Sequence, residues 1–146
     1  MKALVIYDSV YGNTKKVAEA VAAELGKGVK AVSVVDFKDK DLTGLDLLVV
    51  GSPIIGWRPT EKMKALLAGL KAGQLKGVRA TAFDTRMRIF IHGDAAKKIA
   101  AALKLAGAEI VAETAGFIVE DREGPLAKDA VVKAKEWAGS IKAKIK

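Results

Sequence analysis

Five short apolar runs alternate with four amphipathic stretches along the 146 residues, and few folds accept that alternation. The runs are 3–7, 29–35, 46–51, 78–84 and 109–119, the last interrupted around Glu113–Gly116. The helical patterns cover 13–25, 60–70, 94–106 and 125–145, and Asp39–Leu45 leaves room only for a helical turn. Ala-Leu-Val-Ile-Tyr, Leu-Leu-Val-Val-Gly and Val-Arg-Ala-Thr-Ala-Phe are nearly continuous apolar segments, as expected of parallel strands covered on both faces. Lys30–Val34 is mixed and suits an edge. Helix periodicity aligns Met63, Leu66, Leu67 and Leu70; then Ile99, Leu103 and Ala106; then Leu126, Ala130, Ala134, Trp137, Ile141 and Ile145. Gly26 and Gly107 read as helix stops, and Gly124-Pro125 as the start of the last helix. The expectation is one α/β domain over 1–146, a doubly wound parallel sheet of five strands, with Trp137 in its core.

In such a sheet the ligand lies beyond the carboxyl ends of the strands. Three loops converge there: 8–14, 51–60 and 84–92. The first, Asp-Ser-Val-Tyr-Gly-Asn-Thr, joins a strand to a helix. Its glycine lets the backbone approach a bound group, and Ser9, Asn13 and Thr14 place short polar side chains beside the free N–H groups of the helix start. This is either an ordinary capped β–α turn or an anion site suited to phosphate. Asn13 is the only asparagine in the chain. The second loop, Gly51–Thr60, carries Trp57 at its tip, as a stacking platform for a flat ring or a contact for a protein partner. The third, Phe83-Asp84-Thr85-Arg86-Met87-Arg88, supplies a carboxylate, a hydroxyl and two guanidiniums.

Composition narrows the chemistry. With no cysteine and one histidine, disulfides, iron–sulfur clusters, cysteine nucleophiles and histidine-rich metal sites are excluded. No apolar run is long enough to span a bilayer and no cleavable leader is visible, so the expectation is a cytoplasmic protein whose chemistry is either absent or carried by a bound cofactor. The net charge is +8, but the lysines are spread over every helical pattern and no basic run is interleaved with aromatics. That favours solvated helix faces over nucleic-acid binding. His92, beside Gly93-Asp94, reads as a capping-region residue.

The sequence resembles the flavodoxin family in Tyr-Asp-Ser-Val-Tyr-Gly-Asn-Thr (7–14), Gly-Ser-Pro-Ile-Ile-Gly-Trp (51–57) and Phe-Asp-Thr-Arg (83–86), followed by Leu-Ala-Gly-Ala-Glu-Ile-Val (105–111). The resemblance covers essentially the whole chain and implies strand order 2-1-3-4-5, a noncovalently bound FMN, and single-electron transfer between a reductase and acceptor proteins. Carried over by position, Ser9, Tyr11, Gly12, Asn13 and Thr14 would hold the FMN phosphate. Ser52, Pro53, Ile54, Ile55, Gly56 and Trp57 would line one side of the isoalloxazine, and Phe83, Asp84, Thr85 and Arg86 its pyrimidine edge and other face. Only a few residues separate the halves of the fifth strand, which looks like the short-chain branch of the family, without its long inserted loop.

Three departures from the family pattern stand out. Tyr11 replaces the usual Thr or Ser, the third loop lacks the Tyr that many members stack on the flavin, and the chain is basic where the family is usually acidic. Partners are therefore expected to be redox proteins, acidic ones given the charge, with no nucleic acid or membrane involved and the chain a monomer. Arg58, Arg86 and Arg88 fall in the two ring-binding loops. One such charge at ~7 Å, in an effective dielectric of ~20, contributes ~2.4 kcal/mol. A reduction potential less negative than in acidic flavodoxins is expected. The other readings are a small flavin-dependent quinone reductase-type enzyme, with Ile89-Phe90-Ile91 over the ring or at a dimer contact, and a cofactor-free scaffold. A phospho-receiver lacks its clustered acids, and no Gly-x-Gly-x-x-Gly follows the first strand.

Overall fold

The computed structural model describes residues 1–55, 57–87 and 94–145. Its sheet contains β1 (Ala3–Tyr7), β2 (Lys30–Ser33), β3 (Leu47–Pro53), β4 (Arg79–Met87), β5 (Glu109–Ile110) and β6 (Ala115–Val119). Four helices accompany them: α1 (Asn13–Leu25), α2 (Glu61–Ala68), α3 (Ala95–Leu105) and α4 (Ala130–Lys144), with a 3-10 turn at Asp39–Leu42. All strand pairs are parallel, in the order β2-β1-β3-β4-β5, with β6 also on β4. The order is the one the resemblance implied. The fifth run is two strands: Glu109 and Ile110 pair with the start of β4, and Ala115–Val119 pair with Phe83–Met87.

The unbroken apolar runs serve both faces of the sheet. Val5, Tyr7, Leu47, Val49 and Phe83 pack with α1 and α4, whereas Leu4, Ile6, Leu48, Val50 and Ala82 pack against the side of α2 and α3. Successive side chains of a strand point to opposite faces, so only a strand covered twice needs apolar residues at every position. β2, with no neighbour beyond it, is the mixed one.

Trp137 belongs to the core, as its spacing predicts. It meets Phe83 and Phe117 edge-on at 5.9 and 5.8 Å, and its indole N–H donates to the Glu113 carbonyl at 3.0 Å. Met63 is fully buried, while Leu66, Leu67 and Leu70 are only partly covered. Gly107 follows α3 as a left-handed stop: its N–H donates to the Lys104 carbonyl and that of Ala108 to the Leu103 carbonyl, a Schellman closure.

The last helix begins at Ala130, five residues later than the sequence pattern suggested. Gly124-Pro125 does not open it. The chain instead folds back on itself: Glu120 N–H donates to the Pro125 carbonyl at 2.8 Å, Val119 bridges Leu126 in antiparallel fashion, and Ala127 N–H reaches the Ile118 carbonyl. This reverse turn sits at the carboxyl edge of the sheet, where it adds a wall to the site described next.

Candidate functional site

A cavity of about 390 Å³ opens at the carboxyl edge, between the segments that follow β1, β3 and β6 and the carboxyl end of β4 itself. Its floor and walls come from all four. Val10, Tyr11, Asn13 and Thr14 form one end; Pro53, Ile54, Ile55 and Trp57 form one side. Thr85, Arg86 and Met87 of β4, with Val119 and Arg122, complete it. The volume is that of a small-molecule site. Val10, Tyr11, Ile55 and Trp57 are each between 44% and 55% exposed, and they make up half of the large apolar side chains left open among the described residues. Unsatisfied apolar surface is thus gathered at this one mouth.

The first loop is held by its own serine. Ser9 Oγ accepts from Gly12 N–H at 3.1 Å and Lys15 N–H at 3.2 Å. Gly12 is left-handed, with φ 91, and α1 starts without a side-chain cap. The N–H groups of Tyr11, Asn13 and Thr14 have no hydrogen-bond partner among the described residues. Neither Asn13 nor Thr14 caps the helix; Ser9 Oγ takes the Lys15 N–H instead, and the amides of Tyr11, Asn13 and Thr14 lie at the positive end of α1. Thr14 is pinned by its hydroxyl, 2.8 Å from that of Thr85 on β4.

Trp57 sits on a tight reversal in which Ile55 and Arg58 exchange backbone hydrogen bonds of 2.8 and 3.3 Å. Its φ of 73 makes it the one non-glycine residue with positive φ among those described. A bulky residue in that region is a costly conformation, of the sort found where the side chain's presentation matters. Below the loop, Ser52 and Thr60 are buried and structural. Ser52 Oγ accepts from Thr60 N–H, and the Thr60 hydroxyl donates to Asp8 Oδ2 at 2.6 Å while accepting from Met63 N–H.

On the opposite wall, position at the carboxyl end of β4 decides which side chains reach the cavity. Thr85, Arg86 and Met87 line it; Phe83 and Asp84 do not. Phe83 is fully buried, its ring filling the space where Gly51 would carry a Cβ, so its assignment to the flavin edge is corrected: it is core. Asp84 is equally buried. Its carboxylate accepts from Arg86 Nε and Nη2, both at 2.7 Å, and from Ala96 N–H at 2.9 Å at the start of α3. Asp94 lies 3.6 Å from Arg86 Nη2. The hydrogen bonds that Arg86 donates to Asp84 raise its pKa above the ordinary value against the opposing effect of burial, with attraction to Asp84 and Asp94 adding to the rise. Arg86 therefore enters the wall as the outer end of an ion pair rather than as a lone charge, which reduces the electrostatic effect expected of it.

Of the sequence-predicted site residues, nine line the cavity: Tyr11, Asn13, Thr14, Pro53, Ile54, Ile55, Trp57, Thr85 and Arg86. Ser9, Gly12, Ser52 and Asp84 shape or brace it from behind. Gly56, Arg88, Ile89-Phe90-Ile91 and His92 lie outside the described residues. Arg58 is exposed and has interactions of its own. Val10, Met87, Val119 and Arg122 were missed. Met87 could have been found by extending the fourth strand to its carboxyl end; Val119 already closed the fifth run but was not read as a lining residue, and Arg122 carries no local signal.

The fold and this cavity place the chain among the doubly wound α/β proteins whose ligand sits at the switch point of the sheet, between the loops after β1 and β3. The flavodoxin domain family matches it over residues 4–92, more than half of its length. The chain belongs to the flavodoxin family. Solved structures agree in fold. An archaeal flavodoxin is 23% identical with a TM-score of 0.79, covering 99% of each chain. Flavodoxin 2 from Bacillus cereus is 20% identical with a TM-score of 0.84, again over 99% of each chain. A short-chain flavodoxin associated with a non-canonical PDU bacterial microcompartment is 19% identical with a TM-score of 0.78, over the whole of both chains. No curated protein matches the chain in sequence.

Proposed function

We infer that the chain is an FMN-binding electron carrier that passes single electrons between redox proteins. One observation carries this reading: three unpaired amides at the start of α1 open into the same cavity as an exposed tryptophan and an apolar wall. FMN has the matching parts, a phosphate and a flat ring, and the residues present fit both. When bound, FMN supplies the redox chemistry. The chain's own work is positional. The amides of Tyr11, Asn13 and Thr14 would donate to the phosphate, where the positive helix end favours an anion. Trp57 would cover one face of the ring, and Ile54, Met87 and Val119 would keep water from it. Arg86, fixed by Asp84, would present N–H donors at the wall without titrating. No carboxylate lines the cavity among the described residues.

The carrier reading asks for no nucleophile or acid–base pair, and the partners it implies are proteins, acidic ones by the chain's net charge of +8. Among the described residues no helix is long and apolar enough to cross a membrane. The visible absorption spectrum of the purified protein, before and after adding FMN, tests the reading. A flavin spectrum that stays with the protein through gel filtration is expected. A colourless protein that remains colourless in excess FMN would leave only the scaffold. Consumption of NAD(P)H with a quinone, without any added reductase, would turn the assignment toward an enzyme.

A further inference from the structure

We propose that Arg122 is the counter-ion of the cofactor phosphate, and that Asn13 is the positioning residue that keeps it there; this rests on the FMN reading above. Arg122 lines the same cavity as Tyr11, Asn13 and Thr14, yet it comes from the far end of the chain, in the turn that follows β6. That turn is fixed on itself. Gly124 N–H donates to the Asp121 carbonyl at 3.0 Å, Glu120 N–H to the Pro125 carbonyl at 2.8 Å, and Arg122 N–H to Asp121 Oδ1 at 2.7 Å.

It is also fixed to the start of α1. Asn13 Nδ2 donates to the Glu123 carbonyl at 3.1 Å, across 110 residues of sequence. The contact is close: a Cβ on Gly124 would lie 3.0 Å from Asn13 Oδ1, and the φ of +121 there suits glycine alone. Asn13 thus divides its two amides. Its backbone N–H stays unpaired at the helix start, while its side chain latches the Arg122 turn beside that start.

The Arg122 side chain makes no hydrogen bond or ion pair among the described residues, although Asp121 and Glu123 flank it. An exposed cation with no partner among the described residues, lining the same cavity as three unpaired amides, suits a phosphate dianion better than a neutral ligand. Neutral amides alone would orient the phosphate; the guanidinium adds charge, and with it a preference for phosphorylated over unphosphorylated flavin.

Titrating the full chain with FMN and with riboflavin, which has the same ring and no phosphate, tests this. Arg122→Gln should lose about tenfold or more of FMN affinity while riboflavin affinity changes less than twofold. Arg122→Lys should recover part of the loss. Asn13→Ala, which keeps the backbone N–H, should reproduce the fall in FMN preference, and the double variant should fall no further. An Arg122→Gln protein whose FMN-to-riboflavin ratio equals that of the wild type overturns the proposal, as does an Asn13→Ala protein that keeps the full preference. If the wild type itself takes up neither flavin, the cofactor reading fails and this one with it; if it binds FMN and only the ratio fails to move, the cofactor reading stands.

Discussion

Single residues at the edge of the cavity show stability and function pulling in different directions. Trp57 holds φ 73, a conformation that costs a residue with a Cβ about 1–2 kcal/mol. Asparagine tolerates it far better. Trp57→Asn should therefore raise the unfolding free energy of the cofactor-free protein by up to about 1 kcal/mol in urea titrations, while FMN affinity falls about tenfold through lost ring contact. Equal affinity in the variant would mean that the indole is displayed for something other than the flavin. Arg86 behaves in the opposite way. Its guanidinium occupies the space above Gly116, where a Cβ would meet Nε, and its removal leaves the buried Asp84 carboxylate with one remaining donor among the described residues, Ala96 N–H. Breaking a pair this buried costs about 2–4 kcal/mol, so Arg86→Gln should be strongly destabilised. The pKa of Arg86 is raised, so the contribution is fully present below the ordinary guanidinium value and is lost only as pH rises past the higher folded one. The stability gap between wild type and Arg86→Gln should then stay constant from about pH 7 to 10 in parallel denaturation curves. A gap that closes over that range would show that the pair is not what holds Asp84.

Elements were read from the sequence to different depths, for reasons that particular residues make plain. α1 was legible to the residue because Gly12 and Gly26 bracket a clean period of Val17, Val21 and Leu25. α4 was not. Leu126 and Pro125 mimic a helix start by spacing, but Leu126 is drawn into a bridge with Val119, a contact between strand and turn that no local period announces. The lining role of Met87 was hidden for a related reason: the fourth strand was ended where apolar residues ended, whereas backbone pairing carries β4 on through Met87, opposite Val119. The start of α2 shows how an element and the site share parts. Thr60 caps the helix by accepting from Met63 N–H and also donates to the buried Asp8 beneath the first loop. Thr60→Val keeps the shape and removes both bonds. It should cost about 2 kcal/mol by thermal or urea unfolding and weaken FMN binding indirectly, because Asp8, whose Oδ1 accepts from Ser9 N–H, loses its anchor. A loss of binding with no loss of stability would contradict that order of events.

For the molecule as a whole, charge is the property that most separates this chain from what its family would suggest, and it acts at long range. The excess of eight positive charges is not gathered in the cavity: among the described residues only Arg86 and Arg122 of the chain's 25 lysines and arginines line it. What an approaching partner meets first is therefore the field of the whole molecule, and only at contact the apolar rim of Tyr11, Ile55 and Trp57. Such a field speeds encounter with a negatively charged protein and slows it with a positive one. At physiological ionic strength the screening length is about 8 Å, short against the size of the domain, so the effect should fade steeply as salt rises. Stopped-flow oxidation of the reduced, FMN-loaded protein by an acidic one-electron acceptor should accordingly slow by about tenfold or more between low and high salt, whereas a basic acceptor should speed up. The two slopes must have opposite signs. If both acceptors show the same slope, steering by net charge is absent, and recognition rests on the apolar rim alone.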